Sequence, residues 1–120
     1  MAKPHTRPSR DFRITSLGSE IEIEHRHAVA GFDPISRAVL ARRYFQFIDF
    51  LQRNQMTTRM VCARIEDLDD SAELRNSDLA DDGFSFVRKY HGRWLDRARK
   101  DRGETAEEKF LVKWLSEFRA

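Results

Sequence analysis

The acidic run that ends in Leu79-Ala80-Asp81-Asp82-Gly83 has carboxylates spaced closely enough to hold a cation. With Gly83 set at the invariant glycine of a calcium loop, Asp78 falls at the first ligand position and Asp82 at the fifth. The third position is then Ala80, and Lys89 stands where a bidentate glutamate must close the cage. The run therefore reads as a solvated acidic loop. In His25-Arg26-His27 an extended backbone would put both imidazoles on one side, as a metal pair requires. Zinc takes three or four protein ligands, and the remaining donors (His5, Cys62 and His91) match no compact site. Cys62 would need a base beside it to act as a nucleophile. A lone cysteine in an apolar stretch reads instead as core filling. The five glycines, at 18, 31, 83, 92 and 103, form no phosphate-cradling loop, and no G-x-S-x-G occurs. No residue is assigned a catalytic, metal-binding or cofactor-binding role, and no cofactor is expected.

The stronger functional lead is a basic helix. Between Arg88 and Arg102 there are seven basic and two acidic residues. Lys89, Arg93, Arg97 and Lys100 recur at helical spacing, away from the Trp94 face, so they should point to solvent. Phe86 projects close to this row. Cations beside an aromatic ring can hold phosphates and stack a base, and the same row can meet an acidic protein. Against both stands a plain solvated face, neutralised by the chain's own segment from Glu66 to Asp82, which has eight acidic residues and one basic.

These residues have to be positioned by helices. Ala38 to Leu51 (AVLARRYFQFIDFL) has no Gly or Pro and is apolar around most of a helical circumference, so it should be buried on more than one side. Asp33 as cap and Pro34 at the first helical position start this helix, which runs to about Arg53. Leu40, Tyr44, Phe47, Ile48 and Leu51 form its main face, with Arg42, Arg43, Gln46, Asp49 and Arg53 opposite. Phe45 and Phe50 flank the main face and are expected to form a homodimer interface. Thr57 or Thr58 then caps a short helix carrying Val61, Ile65 and Leu68, or a strand runs through Met60 to Ile65. A helix from about Asp81 to Lys100 shows Phe84, Val87, His91, Trp94 and Ala98 on one face, with Tyr90 and Leu95 beside it. Gly103 ends it. Thr105 and Glu108 form a capping box for the last helix, whose stripe is Phe110, Leu111, Trp114, Leu115 and Phe118. Phe12 to Ala30 reads two ways. Ile21 and Ile23 alternate with glutamates, so Gly18 could turn a hairpin from FRIT into EIEIEH. Ser19 with Glu22 is equally a capping box, with Ile21, His25, Ala28 and Val29 at helical spacing.

At 120 residues the chain is one domain, long enough to bury roughly two-thirds of its unfolded surface. Residues 1–11 read as a flexible basic tail and 12–120 as one helical domain. The fold class is mainly α: a bundle of three to four helices, with Trp94 and Trp114 in its core and a short N-terminal β-hairpin or extended segment. A formal net charge of +2, from 22 basic and 20 acidic residues, gives no bulk argument for nucleic acid. The single cysteine excludes an internal disulfide and fits a reducing compartment. No apolar run is long enough to span a membrane, and no apolar stretch follows Lys3, Arg7 and Arg10 as a secretory signal requires. Cytoplasmic localisation is expected.

Leu79-Ala80-Asp81-Asp82-Gly83, opening an aromatic helix, resembles the L-T-x-x-G step from the wing into the last helix of winged-helix transcription regulators. The likeness covers about six residues, with Ala80 in place of the threonine, and the stretch from Asn54 to Leu74 scarcely holds the two helices such a fold needs. It implies nucleic-acid binding. Elimination together with the segregated charge favours a non-enzymatic protein that binds an unidentified protein partner, of the accessory, inhibitor or immunity type. A nucleic-acid-binding regulator using residues 84–100 is the alternative, and an enzyme whose site is assembled from separate segments is the third.

Overall fold

A computed structural model describes Arg7 and residues 10–29, 36–69, 71–100 and 108–120; the side chains of 27–29 and 98–100 lie outside that description. The chain is mainly α. Its described residues form β1 (Arg13–Ser16), α1 (Leu17–Val29), α2 (Arg37–Arg53), β2 (Glu73–Arg75), α3 (Asp81–Lys100) and α4 (Glu108–Arg119), with single 3-10 turns at Ile65–Asp67 and Asn76–Asp78.

The N-terminal region resolves into an extended strand followed by a helix. The Ser16 hydroxyl accepts from the Ser19 amide at 3.0 Å, which caps α1 and takes Gly18 into the helix. FRIT therefore does not turn back on EIEIEH. Its partner is β2, antiparallel and some sixty residues away in sequence, with Arg13 opposite Arg75 and Ser16 opposite Glu73. α1 places Glu20 and Glu24 inward and Ile23 outward, against the usual amphipathic order. Glu20 is satisfied there by the Thr15 hydroxyl at 2.9 Å. His91 Nε2 lies 3.7 Å from it.

The described N-cap of α2 is Ser36, whose hydroxyl accepts from the Val39 amide; Asp33 and Pro34 lie outside the described residues. The helix is buried on more than one side, as its composition demands. Arg43, expected in solvent, is buried with it. Asn54, Gln55 and Met56 close α2 in a Schellman turn. The Met56 amide donates to the Leu51 carbonyl at 2.9 Å, the Gln55 amide to the Gln52 carbonyl, and Gln55 takes a left-handed φ of 56°.

Neither a helix nor a strand follows at Met60 to Ala63, and a single 3-10 turn stands at Ile65–Asp67. Thr57 bridges Leu79, and the Thr58 amide donates to the Asp78 carbonyl at 2.8 Å. The Gln52 side chain accepts from the Val61 and Cys62 amides and donates to the Cys62 carbonyl. Backbone groups that would have made a helical turn are satisfied by α2 instead. The acidic connection conceals β2, whose Leu74 is fully buried. The two helices a winged helix needs between α2 and the wing are absent from the described residues.

α3 spans the residues its periodicity predicts. Its start rests on the turn after α2: the Ala80 amide donates to the Met56 carbonyl at 2.9 Å, and a Cβ on Gly83 would sit 2.0 Å from that oxygen. Only glycine fits there. The N-terminal segment is tied to the same corner. Arg7 donates to Asn76 Oδ1 (2.9 Å), to Asp81 (2.8 Å) and to the carbonyls of Asn76 and Leu79, with its guanidinium over the Phe84 ring. Asp11 accepts from Arg75 and from the Ser77 amide. Arg7 and Asp11 thus depart from the loose tail expected of residues 1–11. Among the described residues no helix is long and apolar enough to cross a membrane.

Candidate functional site

α4 packs along α3 beside α2, with Phe86 of α3 touching Phe50 of α2 and Phe118 of α4, and this second contact defines the candidate site. Tyr90 stacks on Trp114 with ring centroids 5.5 Å apart and planes within 10°. Phe118 meets Phe86 edge-on at 5.6 Å. The ring expected to stand exposed beside the basic row does not: Phe86 has no exposed surface and lies among Phe50, Tyr90 and Phe118. Its position on the helical wheel suggested solvent only because the wheel omits α4. Trp94 is buried and Trp114 half-buried against the core.

Lys89 and Arg93 are exposed and rest over the Tyr90 ring, at 5.4 and 5.2 Å from its centroid. Arg97 is half-buried, with its guanidinium 4.0 Å above Phe110. Lys100 continues the same helix, but its side chain lies outside the described residues. Such cation–π contacts contribute on the order of 0.5–1 kcal/mol each at exposed sites. They hold the cations against a rigid aromatic floor without neutralising them. The expected neutralisation by the acidic segment does not form among the described residues, and four of its eight carboxylates pair elsewhere: Asp78 with Arg59 (2.7 Å), Asp67 with Arg64 (3.3 Å), Glu73 with Arg75 (2.9 Å) and Asp81 with Arg7 (2.8 Å). Among the described residues no carboxylate pairs with Lys89, Arg93 or Arg97. The α4 stripe was legible in the sequence, but not its role as a support for the α3 cations.

Of the expected dimer residues, Phe50 is buried inside its own chain and offers no surface. Phe45 is half-buried against the core. The acidic residues aligned on a calcium loop separate: Asp78 is buried, accepting from Arg59 and from the Arg75 amide, whereas Asp82 is exposed in the first turn of α3. His25 is exposed on a helix rather than a strand, and the His27 side chain lies outside the described residues. No cluster of three or more metal-ligating side chains occurs among the described residues.

One further cavity, of about 310 Å³, opens between α2 and the 59–73 connection, with Tyr44 and Cys62 in its wall. Burial pushes the Cys62 thiol upward, and its Sγ donates to the Arg64 carbonyl at 3.0 Å, so it remains a thiol. Burial and the nearby Glu20 and Glu73 hold the Tyr44 phenol protonated well above its ordinary range. Arg59, Asp67, Asp69 and Glu73 also line the cavity, and each has a side-chain partner. No base approaches the thiol within hydrogen-bonding distance among the described residues.

No protein-family model, no curated protein and no solved structure matches this chain.

Proposed function

We propose that the protein works by binding another macromolecule through the α3–α4 seam, and that its partner is a protein with an acidic surface. The observation that supports this reading is the row Lys89, Arg93 and Arg97, which is backed by aromatic rings and has no internal carboxylate partner among the described residues. Eight residues of helix separate Lys89 from Arg97, a row about 12 Å long at the helical rise. Fixed cations on a firm floor lose little freedom when an acidic partner arrives, which favours affinity. Nucleic acid is the second reading, since phosphates satisfy the same cations. It is weakened by the rings, which are already engaged: Tyr90 on Trp114, Arg97 over Phe110, and Phe86 buried. A net charge of only +2 adds little steering toward a polyanion.

The test is Lys89→Glu/Arg93→Glu/Arg97→Glu in the full chain. Titrations with a glutamate-rich peptide and with mixed-sequence DNA are repeated as salt is raised. The expected result is that peptide binding is lost in the triple variant and that DNA binding is the weaker of the two. DNA binding through this row would show a log–log salt slope of roughly −2.7, for three phosphates. Unchanged peptide binding in the variant would remove this row from the reading.

A further inference from the structure

Arg13 on β1 and Arg88 on α3 line a groove of about 260 Å³ whose other walls are Phe12, Ile14, Phe84 and Val87. Arg88 sits about 140° around the helix from Arg93, so this surface is separate from the α3–α4 seam. We propose that the groove docks a short extended segment of a protein partner, in which one large apolar side chain is flanked by carboxylates.

Four observations carry this. The groove is smaller than the roughly 300–1,000 Å³ of cofactor and small-molecule pockets, and it has room for one side chain. Its floor is apolar, so an aromatic or branched aliphatic group laid in it removes apolar surface of both partners from water. Both arginines are exposed, and no carboxylate among the described residues pairs with either. Their guanidinium forks suit carboxylates that follow the apolar anchor. Finally, β1 pairs with β2 alone among the described residues, and its register skips between Arg13 and Thr15, leaving Ile14 opposite no residue of β2. A bulge of this kind re-aims a side chain, here one that lines the groove, and an extended occupant has a strand to lie along.

The probe is a fluorescein-labelled Glu-Glu-Phe-Glu-Glu peptide, read by anisotropy against the full chain. A second peptide carries Ser in place of Phe. Wild-type protein is expected to bind the Phe peptide saturably. The Phe peptide should bind roughly tenfold or more tightly than the Ser peptide; Arg13→Glu/Arg88→Glu should abolish that preference, whereas Lys89→Glu/Arg93→Glu/Arg97→Glu, which weakens both acidic peptides alike, should leave it within twofold or so. Both variants change surface arginines and lysines, and far-UV circular dichroism confirms that each is folded. Absence of saturable binding, equal affinity for the two peptides, or a Phe-over-Ser preference lost only in the α3 triple variant would each overturn the proposal. The two variants share no residue, so its failure is distinguishable from failure of the seam.

Discussion

Replacing Gly83 by alanine should destabilise the protein even though it improves a helix. A Cβ at 83 would lie 2.0 Å from the Met56 carbonyl oxygen and 2.9 Å from its carbon. Ordinary contacts begin at about 3.5 Å, so the first turn of α3 would have to retreat by about 1.5 Å. That retreat stretches the 2.9 Å hydrogen bond from the Ala80 amide to the same oxygen, and it disturbs the Thr57–Leu79 bridge beside it. Overpacking of this kind costs about 1–3 kcal/mol, and a weakened buried hydrogen bond about 1 kcal/mol more. The gain in helix propensity returns at most about 1 kcal/mol. The net expectation is a loss of about 1–3 kcal/mol, or roughly 4–12 °C in melting temperature for a domain of this size. Gly92 is the control. It lies in the same helix, exposed, and a Cβ added there would have nothing within 4 Å, so Gly92→Ala should stabilise by about 0.5–1 kcal/mol. Urea unfolding of both variants, followed by far-UV circular dichroism, gives the two numbers. A Gly83→Ala protein as stable as wild type, or stabilised like Gly92→Ala, would refute the close approach of α3 to the turn after α2.

Gln55 holds the left-handed position of the Schellman turn with a side chain that disfavours it; Gln55→Gly should raise stability by about 1 kcal/mol, and a drop in urea midpoint would contradict that geometry. Asp11 is held at about 2, from an ordinary 3.8, by Arg75 and by the Ser77 amide. A depressed carboxylate contributes above its unfolded value and loses that contribution as pH falls through its folded one. The Ser77 amide resonance should therefore titrate with a midpoint near 2 and stop titrating in Asp11→Asn; a midpoint near 3.8 would mean that the segment is untied.

The clearest features of the sequence were periodic ones. The apolar girth of Tyr44, Phe47, Ile48, Phe50 and Leu51 required a helix covered on more than one side, and α2 is such a helix. The stripes of α3 and α4 were legible for the same reason: helical spacing is local, and a row of rings must find cover. The structure departs from that reading where a distant group satisfies the backbone. Gln52 holds the amides of Val61 and Cys62, which removes the helix their spacing suggested. FRIT pairs with Glu73–Arg75 from the far end of an acidic stretch that shows no strand pattern. The candidate site divides in the same way. Sequence alone placed Lys89, Arg93 and Arg97 on one face, because a fixed rise and turn per residue require it. Only the packing of α4 decided that Phe86 would be hidden and that Tyr90 and Phe110 would lie beneath those cations. Likewise, the long-range pairing of Asp78 with Arg59 and of Asp81 with Arg7, beside the local pairs Asp67–Arg64 and Glu73–Arg75, directs those carboxylates away from the row. Periodicity records what one element needs to bury; which neighbour buries it, and which opposite charge reaches it first, depends on contacts between residues that no local pattern relates.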